Sequence, residues 1–567
     1  MCTNPPPHAN RCCRSSSTRR SKLDLGLAAP PLSSTTTNSP HPLVQEPRVT
    51  ELGPLSPDLP AVAQKLAQEL TAAGFTADGV AAHLGPEATE AMYRREPGVV
   101  LAACADDSRL SALIRFFVLR RPATAEAIGD MLTPQLALEL IDDQLVLPVP
   151  GASTYQVGVE VRAHVVSGKP RFVFSDLDAS MTDHVPGRDH VLGVGSASLS
   201  LLAATPCTPV ESVLDLGTGS GIQALAQSDA ATTVVATDVH ARALQFAQAT
   251  MLANGVDNVE LREGAWFEPV ARERFDRIVA NPPFVVGLPE VGHVYRDSGL
   301  DLDGATELVL RETPSHLAEG GRAFILGSWL HVLDQPWQSR IASWLPSRGV
   351  NAWVLQRDVV DPGMYVSTWL RDESVDPRSD EGITRTLQWL DHFQEHDVHA
   401  VGFGWVMLED IGDAPSEITC EELAQPFTDP LGTEAEEYFL RTGWLRGKNR
   451  DAILDASYLI RPSVALEDIQ LANAEAGMGF SSETLRMTRT DGPRFSHTVD
   501  SGMVSLLSGL HPNGLSLRDV VGLFAVSHDV GEPEDVDKLE ADAASAIVDL
   551  IRHGLVLPAE IAQLTHL

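Results

Sequence analysis

Three short runs in the chain carry residue types that can do chemistry. The first is Val213-Leu214-Asp215-Leu216-Gly217-Thr218-Gly219-Ser220-Gly221. A β-rich run ends in an acid, and glycines follow at alternate positions. Glycine lets the main chain turn sharply and lets a ligand lie against it. Dinucleotide sites use G-x-G-x-x-G, with a pyrophosphate at the helix N-terminus. The spacing here is D-x-G-x-G-x-G, which differs, and such a loop alone also suits an ordinary strand–helix turn. The second run is Val234-Val235-Ala236-Thr237-Asp238, whose acid comes 23 residues after Asp215. A ribose-binding acid is expected ~20 residues on in a βαβ unit, where its carboxylate accepts both sugar hydroxyls. Asp238 alone could equally cap the helix that starts near Ala241. Together with the glycine loop, the sugar-binding reading is favoured. The third run, Asp276-Arg277-Ile278-Val279-Ala280-Asn281-Pro282-Pro283-Phe284, is the most specific. Prolines stiffen the turn and push the residues before them out of the helical region. The Asn281 side chain and the Pro282 carbonyl can then point into a cleft as two acceptors for a substrate NH2 group, with Phe284 stacked on its planar system. The competing reading is a rigid surface turn.

These runs need a scaffold. From Val213 to about Leu408, short β-rich runs alternate with Ala/Leu-rich helices. The expected strands are 213–216, 233–237, 259–262, 277–280, 322–326, 352–355 and 400–407, with helices at 241–254 and 305–317 between them. Such alternation implies a mainly parallel sheet covered on both faces by helices. Residues 361–398 interrupt the alternation and read as an insertion. Upstream, residues 58–149 have helical spacing. The run Leu140-Ile141-Asp142-Asp143-Gln144-Leu145-Val146-Leu147-Pro148 shares the form L-I-x-x-x-L-V-L-P with Leu550 to Pro558. A helix running into a short strand and a proline resembles the third helix and first wing strand of a winged-helix module. The alternative is a chance similarity of two leucine-rich helices. Four units are therefore expected: a disordered tail at 1–55, a helical N-terminal domain at 56–185, the α/β domain at 186–412, and a C-terminal α+β domain at 413–567. The tail is basic before Asp24 and rich in Pro, Ser and Thr, which also permits a transit peptide, but it cannot bury enough apolar surface to fold.

In this order, D-L-G-T-G-S-G, V-V-A-T-D and F-D-R-I-V-A-N-P-P-F resemble the class I methyltransferases that use S-adenosylmethionine (SAM) to modify a nitrogen on a planar system. That family includes the HemK-like glutamine methyltransferases of peptide release factors and the small-domain rRNA guanine and adenine methyltransferases. The resemblance covers roughly residues 190–330. It implies a Rossmann-like α/β fold with a seven-stranded sheet, which the helical, winged-helix-like extensions read above would flank. It implies SAM held by Asp215, Gly217, Thr218, Gly219, Gly221 and Asp238, and catalysis by Asn281, Pro282 and Phe284. Tyr295-Arg296-Asp297 and Asp301-Leu302-Asp303-Gly304 are similar to the Asp-rich loop that follows this motif in the glutamine enzymes. Arg188 to Gly195 is expected to lid the methionine end of SAM. One departure stands out. Many relatives carry an acid after the third strand, where it contacts adenine, and this chain has Ala265 there. Glu263 or the backbone is expected to substitute.

Two substrate classes follow from the resemblance: a glutamine amide of a protein such as a translation factor, or an exocyclic amine of an rRNA or tRNA base. The 567-residue chain carries a net charge of −35, which repels phosphate backbones at long range and favours a protein. N-P-P-F rather than N-P-P-Y, and a winged-helix flank, suit RNA. A Rossmann oxidoreductase or a non-catalytic scaffold is disfavoured by the glycine spacing and by Asn281-Pro282-Pro283. The six cysteines show no CxxC or Cys/His cluster, so no metal is expected and a reducing, cytoplasmic compartment is. No run approaches the ~20 apolar residues of a membrane span.

Overall fold

The computed structural model describes residues 53–178, 187, 189–288, 298–372 and 375–564. The expected tail, up to residue 52, lies outside them, as do Arg188 and Tyr295-Arg296-Asp297.

The N-terminal region begins with helices α1 (Leu59–Ala72), α2 (Ala77–Tyr93), α3 (Pro97–Ala103), α4 (Arg109–Leu113), α5 (Ala125–Met131) and α6 (Pro134–Asp142). Proline in the first turn starts α1, and Gly74, with φ 77°, follows its end. The hydroxyls of Thr124 and Thr133 cap α5 and α6 by accepting the N–H groups of Ala127 and Leu136. Strand β1 (Val146–Pro148) then pairs antiparallel with β2 (Tyr155–Val157), and Ala123 bridges to Tyr155. Two helices, α5 and α6, thus lead into this hairpin. The region is not wholly helical, however. A second hairpin joins β3 (Glu160–Val166) to β4 (Lys169–Ser175), turning through Ser167 and Gly168, both at positive φ.

The central region runs α7 (Ser196–Ala204), β5 (Val210–Leu216), α8 (Ile222–Gln227), β6 (Ala231–Asp238), α9 (Ala241–Ala253), β7 (Val259–Glu263), β8 (Phe275–Ala280), α10 (Gly304–Glu312) and β9 (Leu317–Val332). It continues through α11 (Trp337–Trp344), β10 (Arg348–Val360), α12 (Pro362–Asp372), α13 (Asp380–Glu395), β11 (Val398–Pro415) and β12 (Glu417–Glu422). All seven expected strands are present, and the insertion at 361–398 is the helical pair α12–α13. The sheet order is β12-β10-β11-β9-β8-β5-β6-β7, with β11 antiparallel between β9 and β10. The sheet has eight strands rather than seven. The eighth, Glu-Ile-Thr-Cys-Glu-Glu, is half acidic and carries no buried residue, so it offers no apolar pattern to read. It adds to the edge by parallel pairing with β10.

The C-terminal region contains α14 (Leu431–Leu445), α15 (Arg450–Leu454), β13 (Tyr458–Ile460), β14 (Val464–Ala472), β15 (Phe480–Arg489), β16 (Ser496–Val499), α16 (Ser501–Leu507), α17 (Leu517–Ser527), α18 (Pro533–Arg552), β17 (Val556–Pro558) and α19 (Ala559–Leu564). The strand expected after α18 is β17, but its partner is the distant β13, with the three-stranded β14-β15-β16 sheet inserted between them. It forms no local wing hairpin.

The expected boundaries also shift. Residue 412 falls inside β11, and Val49–Leu567 is one compact unit. The reason is shared apolar surface. Leu59, Val62, Leu66 and Leu70 of α1 belong to the same core as Phe246 and Ala249 of α9. Tyr438 of α14 stacks on Trp353 of β10 with ring centroids 4.2 Å apart. Cutting at either boundary would expose such faces to water.

Candidate active site at the carboxyl ends of β5, β6 and β8

Strand register brings the three motifs together. Leu216 of β5 pairs with Thr237 of β6 on one side and Ala280 of β8 on the other. The next residue along each strand is Gly217, Asp238 or Asn281, so all three leave the sheet side by side. Strand order reverses at β5, and ligands of open α/β sheets bind at this kind of crevice.

The glycine loop is held by main-chain bonds. The N–H groups of Gly217 and Thr218 both donate to the Thr237 carbonyl, at 3.0 and 2.8 Å. Gly217, Gly219 and Gly221 have φ of 75°, 54° and 87°, which disfavour any side chain. A Cβ added at Gly217 or Gly219 would meet nothing within 4 Å, so these two line open space. At Gly221 it would come within 3.1 Å of Ala247 Cα, so this glycine serves the packing of α8 on α9.

Asp215 is buried, and its Oδ2 accepts the Thr218 hydroxyl at 2.6 Å and the Ala224 N–H at 2.9 Å. Its carboxylate therefore shapes the loop from below. Burial pushes its pKa up to about 6, against which those two hydrogen bonds act. Asp238 divides its oxygens: Oδ2 accepts the Gly219 N–H and Oδ1 the His240 N–H, each at 2.9 Å. Burial raises its pKa too, opposed by these backbone donors. Each carboxylate oxygen keeps a further lone pair. A loop open above two glycines, beside a carboxylate with spare acceptor capacity, fits a nucleoside bearing vicinal hydroxyls. SAM meets that description.

Pro282 is buried, while Asn281, Pro283 and Phe284 are half-buried, and Phe284 packs against the main apolar core. The Asn281 amide makes no hydrogen bond to a described residue. The segment after it is held firmly. Ser328 Oγ donates to the Phe284 carbonyl at 2.5 Å, the Val286 N–H donates to the Tyr365 hydroxyl at 2.6 Å, and the Leu302 N–H donates to the Gly287 carbonyl at 3.0 Å. Sequence reading missed Ser328 and Tyr365. Neither lies in a motif, and Tyr365 is 79 residues from its partner.

Asp303 of the Asp-rich loop is buried and structural, accepting Arg340 Nη2 at 2.6 Å and the Leu330 N–H at 3.0 Å. Asp301 pairs with His392 at 2.8 Å. Before the glycine loop, the Val191 N–H donates to Asp176 at 2.9 Å, and Asp189 lies 3.7 Å from His240, beside the Asp238 turn. At the departure from the family pattern, the Gly264 N–H donates to the Asp238 carbonyl, Glu263 is exposed, and Trp266 adopts φ 50°. Among the described residues no helix is long and apolar enough to cross a membrane, and no group of three His, Cys, Asp or Glu is placed to hold a metal.

Residues 192–328 match the family described as methyltransferase small domain, and residues 72–156 and 436–558 match two families each described as a domain of unknown function. A release factor glutamine methyltransferase of Aliivibrio fischeri is 34% identical over 191 residues, 31% of this chain and 63% of that protein. One of Xylella fastidiosa is 32% identical over 217 residues, 35% of this chain and 74% of that protein. A ribosomal protein uL3 glutamine methyltransferase of Bradyrhizobium diazoefficiens is 32% identical over 168 residues, 27% of this chain and 53% of that protein.

Proposed function

We infer that this chain, which belongs to the HemK-like family of SAM-dependent methyltransferases, methylates the side-chain amide nitrogen of a glutamine in a protein, such as a translation factor. The observation that carries this reading is the Asn281-Pro282-Pro283-Phe284 turn. It leaves β8 beside the glycine loop, and its Asn281 amide has no hydrogen bond to a described residue.

SAM, when bound, supplies a sulfonium methyl group for transfer to that nitrogen. We assign its ribose to Asp238, its passage along the main chain to Gly217 and Gly219, and the shape of that loop to Asp215, Thr218 and Gly221. An amide nitrogen is a poor nucleophile because its lone pair is delocalised into the carbonyl. Asn281 Oδ1 and the Pro282 carbonyl would accept its two N–H groups, favour a more pyramidal nitrogen and align the lone pair. Alignment of this kind supplies much of the rate in displacement reactions. As the new N–C bond forms, one N–H proton becomes acidic and passes to water. Phe284 would cover the planar amide.

The preference for a protein over RNA rests on charge, with 77 acids against 42 Lys and Arg over the chain. The helices ahead of β1 and β17 add to it. The sequence of α6, Pro-Gln-Leu-Ala-Leu-Glu-Leu-Ile-Asp, has no basic residue, and that of α18 carries six acids against two bases. Phosphate contacts supply most non-specific nucleic-acid affinity and need such bases. A cytoplasmic site of action accords with the cysteine pattern.

The test is incubation with methyl-labelled SAM and separated protein and RNA extracts. Label is expected in protein, at glutamine by peptide mass spectrometry. Label confined to RNA would move the assignment to a base amine, and label in neither fraction would overturn the reading.

A further inference from the structure

The α12–α13 insertion is attached to the segment that follows the N-P-P-F turn at two independent points. Tyr365, on α12, is buried, and its hydroxyl accepts the N–H of fully buried Val286 at 2.6 Å. Trp389, on α13, lies against Gly287, where an added Cβ would sit 2.9 Å from the indole ring. The two side chains are parts of one apolar cluster that also contains Val285, Val286, Leu330, Phe393 and Val401. Within it the Tyr365 ring stacks on Phe403 at 5.8 Å and meets Trp389 and Phe393, each at 6.1 Å. This cluster is distinct from the cores under the sheet. It ties the insertion to the backbone only a few residues beyond Asn281.

We propose that the α12–α13 hairpin is a strut for the methyl-acceptor turn, with Tyr365 as its positioning residue. The inference rests on the reading of Asn281 and Pro282 as the acceptor site. Rigid placement of those two carbonyl oxygens requires the chain on both sides of them to be fixed. On the upstream side, β8 is locked between β5 and β9. On the downstream side no strand continues; one main-chain bond, from the Leu302 N–H to the Gly287 carbonyl, remains, and nearer Asn281 the hold passes to side chains: Ser328 on the Phe284 carbonyl and Tyr365 on the Val286 N–H. A buried N–H without a partner is costly, so loss of the Tyr365 hydroxyl leaves the segment to shift or to admit water. A displacement of about 1 Å in such a site can lower the rate ~100-fold. Tyr365 meets the turn at the Val286 N–H and acts through it.

The experiment compares full-length wild type with Tyr365→Phe, which keeps the ring in the cluster and removes only the hydroxyl, and with Gly287→Ala, which presses on Trp389 from the turn. Two readouts are taken. Amide hydrogen exchange over 284–288 in the presence of SAM is expected to quicken at least about 10-fold in Tyr365→Phe. Single-turnover methyl transfer per bound SAM, on the extract fraction that wild type labels, is expected to fall at least about 10-fold in both variants, with SAM affinity and stoichiometry within about 2-fold. A merely structural role would lower the stoichiometry and leave the rate per bound SAM unchanged. Asn281→Ala is run in parallel. If it transfers like wild type, the acceptor reading itself fails. If it is inactive while Tyr365→Phe and Gly287→Ala exchange and transfer like wild type, only the strut is overturned.

Discussion

The carboxylate of Asp238, at the end of β6, reaches the glycine loop after β5 and accepts the Gly219 N–H at 2.9 Å. One acid therefore shapes the loop and, on the proposed assignment, also takes the ribose. Asp238→Ala is expected to weaken SAM binding by ~1–3 kcal/mol, since charge-assisted bonds are lost and the loop is released. Calorimetric titration with SAM checks this, and an unchanged affinity would remove Asp238 from the site.

Asp215 sets a pH dependence whose sign can be worked out. Its carboxyl ionises at an ordinary value of 3.8 when unfolded and at about 6 when buried in the fold. Between those values the native state holds more protons, so this group's contribution to stability falls as pH rises through the window and levels off above it. Asp215→Asn removes the titration while keeping an acceptor for Thr218 and Ala224. Its stability relative to wild type is expected to rise from about pH 4 to about pH 7, reaching ~1–3 kcal/mol. Thermal unfolding of both proteins across that range is the measurement, and a difference independent of pH would contradict it.

Asn281→Ala is expected to leave SAM affinity nearly intact while methyl transfer falls ~100-fold or more. Asn281→Asp should be milder, because one acceptor oxygen stays in place. Wild-type turnover by Asn281→Ala would reduce the N-P-P-F turn to a structural feature.

Away from the site, Glu434 is buried between Arg441 and Arg489, at 2.6 and 2.5 Å. Burial pushes its pKa up, but the two guanidinium groups outweigh it and hold the carboxyl below its ordinary range. Its stabilising effect is therefore complete above the ordinary Glu range and lost as pH falls below it. Glu434→Gln leaves two buried cations facing a neutral amide and is expected to cost ~3–5 kcal/mol. Urea unfolding at neutral pH reads this directly, and a loss below about 1 kcal/mol would mean that water or other acids compensate.

Much of the core was legible in the sequence because its signals are local. The run Val213 to Leu216 before three glycines, and Arg277 to Ala280 before two prolines, are strand and turn signals contained within ten residues. They are enough to specify parallel strands with loops at their carboxyl ends. Because every parallel strand presents its carboxyl end on the same edge, Gly217, Asp238 and Asn281 had to emerge on one side of the sheet. The resemblance to a known family rested on those same runs, as did the expectation that Asp238 serves a sugar.

What remained hidden depends on partners far along the chain. Strand β12 has no apolar alternation of its own and exists because β10 offers it an open edge. Strand β17 reads like a wing strand, yet its partner β13 lies nearly a hundred residues upstream. The expected boundaries at 185 and 412 are each crossed by apolar contacts, α1 on α9 at the first and α14 on β10 at the second, which no local pattern records. Tyr365 and Trp389 appear in the sequence as ordinary aromatics of an insertion. Periodicity and turn chemistry act over a few residues and so determined the motifs, their elements and the edge of the sheet where they meet. Which distant side chains hold the Asn281 turn in place was decided only when tertiary packing brought α12 and α13 against Val286 and Gly287.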